Sequence, residues 1–130
     1  MPEPPAGAPE SARASPAARV RRADRRRVRV EDESMRPTLV PGDRLLVDAG
    51  AYRDRPPRPG EVVVLVDPEA PERWLVKRVH AVDPDAGTVD VRGDATEHAR
   101  DSRRFGPVPL AALVGRAYRR YFPPERRREL

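Results

Sequence analysis

The chain has 130 residues, no cysteine and a formal net charge of +5. That is length enough for one domain with a core, and it excludes disulfides, thiolate nucleophiles and thiolate metal sites. The longest unbroken apolar runs, such as Val62 to Val66, are far short of the roughly 20 residues a membrane-spanning helix needs.

Residues 1–27, MPEPPAGAPESARASPAARVRRADRRR, hold Pro, Ala and Arg where a secretory leader would carry an apolar stretch. The expectation is therefore a cytoplasmic protein without a transmembrane anchor. Residues 1–30 carry eight Arg against Glu3, Glu10 and Asp24, so the whole excess charge sits there and the remainder is balanced. Too few large apolar side chains are present to offset the entropy of ordering, and the segment is predicted to be a disordered tail. Its arginines could touch phosphate without sequence preference, but a solubilising arm is the simpler reading, and no specific nucleic-acid partner is implied.

From Val28 the pattern changes to short apolar runs between turn residues. RVRVED alternates, DRLLVDAG follows the Pro41-Gly42-Asp43 turn, and EVVVLVDP, WLVKRVHAV and TVDVRGD follow in order. Each has the length and β-branched content of a strand. Residues 83–87 read as a hairpin loop and 53–60 as a Pro-rich connection. Helix is predicted only as a turn or two in PLAALVGRA, residues 109–117. The expected fold is mostly β, a small antiparallel sheet or barrel over residues 28–122, with a charged C-terminal tail over 123–130.

The stretch EDESMRPTLVPGD, residues 31–43, places Ser34 at the end of a strand and before a turn. Ser34 is either a turn residue or a nucleophile, and a serine hydroxyl needs a base to take its proton. Of 26 basic residues one is lysine, Lys77 in WLVKRVHAV. Arginine stays protonated in proteins, whereas a lysine among apolar groups can lose its proton. Strand alternation puts Lys77 on one face with Leu75 and Val79. Two readings stand at this point: a buried base, or an edge lysine with its ammonium in solvent.

ESMRPTLVPGDRLLVD, then RPGEVVVLVDP with WLVKRVHAV, then VRGDATEHARDSRRFGPVPLAALVGRA resemble, in order and spacing, the boxes of the type I signal peptidase family. The likeness runs from about Val28 to about Tyr121. It implies a signal-peptidase-like β fold, Ser34 as nucleophile and Lys77 as general base. It also implies Met35 and Pro37 as site-supporting residues, and Asp101 with Arg103 as an ion pair bracing the active-site strand. No metal or cofactor is implied. Two positions depart from the family pattern. Asp32 stands where relatives have a serine or glycine, and a carboxylate there would oppose an oxyanion unless protonated or turned away. That leaves the Ser34 backbone amide as the implied oxyanion donor. Ala99 stands where the family has a serine that hydrogen-bonds the lysine amine.

The small size and the ending LVGRAYRRYFPP further resemble the nickel-type superoxide dismutase maturation proteases, which implies a dismutase precursor as substrate and partner. Removal of its leader would free the terminal amine that binds nickel. Self-cleaving repressors share the Ser-Met pair and a Val-Lys-Arg strand, but Pro-Thr after Ser-Met and the Asp-Ser-Arg segment favour the peptidase side. A Ser-His-Asp arrangement through His80 or His98 is the other nucleophile chemistry available. A non-catalytic module holding a peptide along a strand edge is the reading from a different class.

Overall fold

The computed structural model describes residues 20–97 and 100–130, so most of the expected N-terminal tail, together with His98 and Ala99, lies outside the described residues. The fold is a single antiparallel sheet built from β1 (Arg25–Arg29), β2 (Arg44–Asp48), β3 (Val62–Asp67), β4 (Ala70–Asp83), β5 (Thr88–Arg92), β6 (Val108–Pro109), β7 (Leu113–Phe122) and β8 (Arg128–Glu129). The strand order is β1-β2-β7-β3-β4-β5-β6, and β8 pairs with β7. Among the described residues the one α-helix, α1 (Ser102–Phe105), has four residues. The mostly-β expectation, with little helix, describes this architecture.

VVVLV does not alternate in polarity because β3 is buried on both faces. Val62 and Val64 join Val30, Met35, Leu39, Leu45, Val47 and Ala117 in one apolar cluster. Val63 and Leu65 join Leu75, Val79, Val89, Val91 and Val108 in another. A strand flanked by β4 and β7 and covered on both sides reads as a continuous apolar run. Pro41-Gly42-Asp43 makes the expected turn, with Gly42 at φ +96. The Gly42 amide donates to Val30 O at 2.9 Å and the Val30 amide to Asp43 O at 2.8 Å. These bonds close the loop that carries Ser34.

β7 is the main element absent from the sequence reading, which expected residues 109–117 to be a short helical turn. A 3-10 turn occupies Leu110–Ala112, but Leu113–Phe122 is a ten-residue strand at the centre of the sheet. LVGRAYRRYF carries Val, two Tyr and Phe but also Gly and three Arg, so its local preference is mixed. Pairing with β2 on one side and β3 on the other supplies the backbone partners that decide it. Gly115 permits that contact: a Cβ there would lie 2.3 Å from Asp48 O.

Ordered structure also begins before Val28. Arg25–Arg29 pairs along its whole length with β2. Arg53 grips both oxygens of Asp24, at 2.7 and 3.0 Å. Tertiary pairing thus recruits arginines that composition assigned to the tail. At the other end, β8 hydrogen-bonds to β7 within the expected charged tail.

Candidate active site

β4 carries Lys77 at the point where its partners change. Residues 74–78 pair with β3, and residues from 78 onward pair with β5. Leu75, Lys77 and Val79 are all buried, so the expected shared face exists and Lys77, 1% exposed, is no edge lysine. Burial lowers its amine pKa from the ordinary value; Asp32, Asp101 and Asp67 oppose that shift and Arg100 reinforces it. Desolvation is the dominant cause, since a charged amine loses more hydration than a neutral one.

Ser34 approaches Lys77 through Gly93. The register Val79↔Val91, Arg78↔Arg92, carried one residue further, sets Gly93 opposite Lys77. Gly93 in turn packs on the nucleophile segment, where a Cβ would lie 2.5 Å from Ser34 O and 3.2 Å from Ser34 Cβ. The Ala95 amide donates to Ser34 O at 2.9 Å. Ser34 is 3% exposed, and its Oγ is buried without a hydrogen-bond partner. Buried hydroxyls in folded proteins are nearly always paired. A lone hydroxyl is free to give its proton to a base.

The segment after Ser34 is held from several sides. Met35 is buried in the first apolar cluster, and its carbonyl accepts the Leu39 amide at 2.9 Å. Pro37 follows the Arg36–Pro37 peptide, which is cis. Thr38 Oγ1 donates to Asp94 Oδ2 at 2.7 Å, Arg78 grips the same carboxylate at 2.8 and 2.9 Å, and Arg120 Nη1 donates to Thr38 O at 2.8 Å. Asp94 thus ties the residue after the lysine to the serine loop. No role was read for Thr38, Arg78 or Asp94 in the sequence, because nothing local shows that residues 38, 78 and 94 meet.

Asp101 and Arg103 meet as expected. Arg103 Nη2 lies 2.6 Å from Asp101 Oδ2, and Asp101 also accepts the Gly93 amide at 2.9 Å and the Arg103 amide at 3.0 Å. Burial opposes ionisation of Asp101, but these donors overcome it and hold the carboxyl at about 2. The brace therefore acts on Gly93, the residue between Ser34 and Lys77.

Asp32 is neither turned away nor neutral. Its Oδ1 accepts the Ser34 amide at 3.0 Å. Although burial works the other way, hydrogen bonding from Ser34, then the charges of Lys77 and Arg100, keep the carboxyl below the ordinary range. The amide implied as oxyanion donor is thus occupied in this structure. His80 is exposed on β4 and stays off the buried face that holds Lys77. Among the described residues no three His, Cys, Asp or Glu side chains are grouped to hold a metal ion.

Beside the site lies a cleft of about 500 Å³ between residues 27–32 with Met35 on one side and residues 72–74 with Val76 on the other. Its walls are the outer edge of β1, which among the described residues pairs with β2 alone, and the part of β4 before its pairing with β5. Trp74, 48% exposed, stands at its rim.

Residues 16–92 match the family model described as signal peptidase, peptidase S26, a span that includes both Ser34 and Lys77. The chain is 37% identical over 111 residues to the mitochondrial ATP-independent inner membrane protease subunit 1b of Arabidopsis thaliana, covering 69% of this chain and 66% of the relative. It is 36% identical over 118 residues to mitochondrial inner membrane protease subunit 2 of Mus musculus, covering 75% and 67%. It is 27% identical over 140 residues to the probable signal peptidase I-1 of Synechocystis, covering 75% and 71%. The chain thus spans about two thirds of the length of these curated relatives. The expectation of a cytoplasmic protein is overturned here, because the first two of these relatives are named for the mitochondrial inner membrane, and a composition without an apolar leader does not decide location. None of these three carries the name of a dismutase maturation protease. No described helix is long and apolar enough to cross a membrane. With the β fold, the Ser34 and Lys77 segments and these relatives in agreement, the chain belongs to the signal peptidase family, peptidase S26.

Proposed function

We propose that the protein is a serine endopeptidase that removes an N-terminal leader from precursor proteins with a Ser34–Lys77 dyad. The observation that carries this reading is the buried, unpartnered Ser34 Oγ set across Gly93 from a buried lysine. The substrate enters the cleft as an extended strand, pairing with the free edges of β1 and of β4 before Lys77. Its scissile carbonyl displaces Asp32 from the Ser34 amide. Lys77, whose burial favours the neutral amine, takes the Ser34 proton as Oγ attacks, and the ammonium then protonates the leaving amine. Water, deprotonated by Lys77, hydrolyses the acyl-enzyme.

The names of the relatives favour precursors processed at a membrane. The dismutase-precursor reading rests on small size and the chain ending alone, and enters as a competing substrate. Incubating the protein with a membrane-targeted precursor and, separately, with a nickel dismutase precursor, then sequencing the new N-termini, tests both. No new terminus from either, at enzyme concentrations that leave Ser34→Ala silent too, counts against the peptidase reading.

Trp74 at the cleft rim is expected to contribute binding rather than chemistry. Trp74→Ala should raise KM about threefold to tenfold with kcat nearly unchanged. Steady-state kinetics on a leader peptide check it, and a fall in kcat alone would place Trp74 elsewhere in the reaction.

A further inference from the structure

Three carboxylates and one guanidinium act on Lys77 from the elements packed around it. They are Asp32 on the loop after β1, Asp67 at the end of β3, and Asp101 with Arg100 on the segment before α1. Two of the carboxylates are already committed. Asp67 is fully buried and is held by Arg100, with Nη1 at 3.0 Å, and by the Glu69 amide at 2.8 Å. Asp101 is held by Arg103 and the Gly93 amide. Asp32 differs: among the described residues no cation pairs with it, and what holds it is Ser34, whose amide donates to Oδ1. It lies on the cleft wall, where it can move when a substrate enters.

We propose that Asp32 is a positioning residue of the Ser34–Lys77 pair, holding the Ser34 amide through Oδ1 and supplying the uncommitted carboxylate that faces the Lys77 ammonium formed during attack. This rests on the dyad reading of the preceding subsection. The proton leaves Ser34 Oγ for Lys77 Nζ, and the positive charge so created is buried among Leu75 and Val79, where a counter-charge is worth more than in water. Asp32 thereby makes the amine a stronger base. It does so at the expense of the oxyanion, because its own charge must leave the Ser34 amide before that donor can serve.

The single lysine makes the test direct. Protein labelled with 13C-lysine shows one lysine side-chain signal, that of Lys77, and its titration can be followed without any substrate. In Asp32→Asn the titration is expected to move to lower pH, because a carboxylate that favours the ammonium has gone while burial and Arg100 remain. In Asp32→Glu it should stay near the unsubstituted protein. The rising limb of cleavage should follow the same direction in Asp32→Asn, and the limiting rate should fall about tenfold as the base weakens. An unmoved lysine titration in folded Asp32→Asn overturns the proposal and leaves the dyad standing. A lysine titrating at the ordinary 10.5 in the unsubstituted protein, with cleavage retained in Lys77→Arg, overturns the dyad itself.

Discussion

Lys77→Arg is expected to abolish cleavage, by on the order of 10⁴-fold or more, while the protein stays folded. Arginine keeps a long basic side chain, yet its guanidinium does not give up a proton at any working pH. Ser34→Ala should fall to the same floor, because nucleophile and base act as one unit and losing either removes the same step. Their double variant should be no worse than either alone. Leader-peptide turnover by mass spectrometry measures all three, with circular dichroism as the check on folding. Lysine is not the base if Lys77→Arg retains activity. A control on the exposed strand face, His80→Gln, should stay within about threefold, and a large loss there would revive the histidine arrangement.

Asp101→Ala should lower stability by about 2–4 kcal/mol, since it leaves the Gly93 and Arg103 amides without acceptors and strips Arg103 of its partner. For an ordered domain of this size that corresponds to a drop in Tm of about 10–20 °C. Cleavage should fall with it even below the melting range, because Gly93 spaces Ser34 from Lys77. The pH dependence identifies the cause. The folded carboxyl titrates at about 2 against an ordinary 3.8, so its stabilisation is complete above the ordinary value and is lost as pH falls through 2. Melting curves of the unsubstituted protein and of Asp101→Asn should therefore converge as the pH drops from 5 towards 2. A constant gap across that range would mean that the ionised carboxylate is not what holds the brace.

Residue chemistry along the chain singled out Ser34 and Lys77 as candidates and left their roles open, and the family resemblance is what cast them as nucleophile and base. A lysine surviving alone in an arginine-rich chain, on the apolar face of a strand, and a serine between a strand and a Pro-Gly turn, are local patterns with local physical causes. Both side chains are buried where those patterns placed them. The five strands from β1 to β5 were legible for the same reason, as alternation or β-branched runs bounded by turn residues. The Asp101 and Arg103 pair was legible only through family resemblance, because a carboxylate and a guanidinium two residues apart are common on any surface.

Tertiary structure alone decided the rest. β7 is a strand because β2 and β3 satisfy its backbone on both sides, although its own residues express mixed preference. Arg25, Arg26 and Arg27 are strand residues because β2 offers them an edge, although their charge reads as tail. The fate of Asp32 was equally invisible: the sequence shows a carboxylate two residues before the nucleophile, and only the folded loop turns it onto the Ser34 amide. The same holds for Gly93, whose missing side chain lets Ser34 come close to the lysine strand. Local composition and periodicity placed Lys77 on a buried strand face, because burial follows from neighbours along a strand, and the family resemblance supplied the roles of Ser34 and Lys77. The meeting of residues 34, 77, 93 and 101 required pairing across the sheet, whose energy lies in contacts between segments distant in the chain.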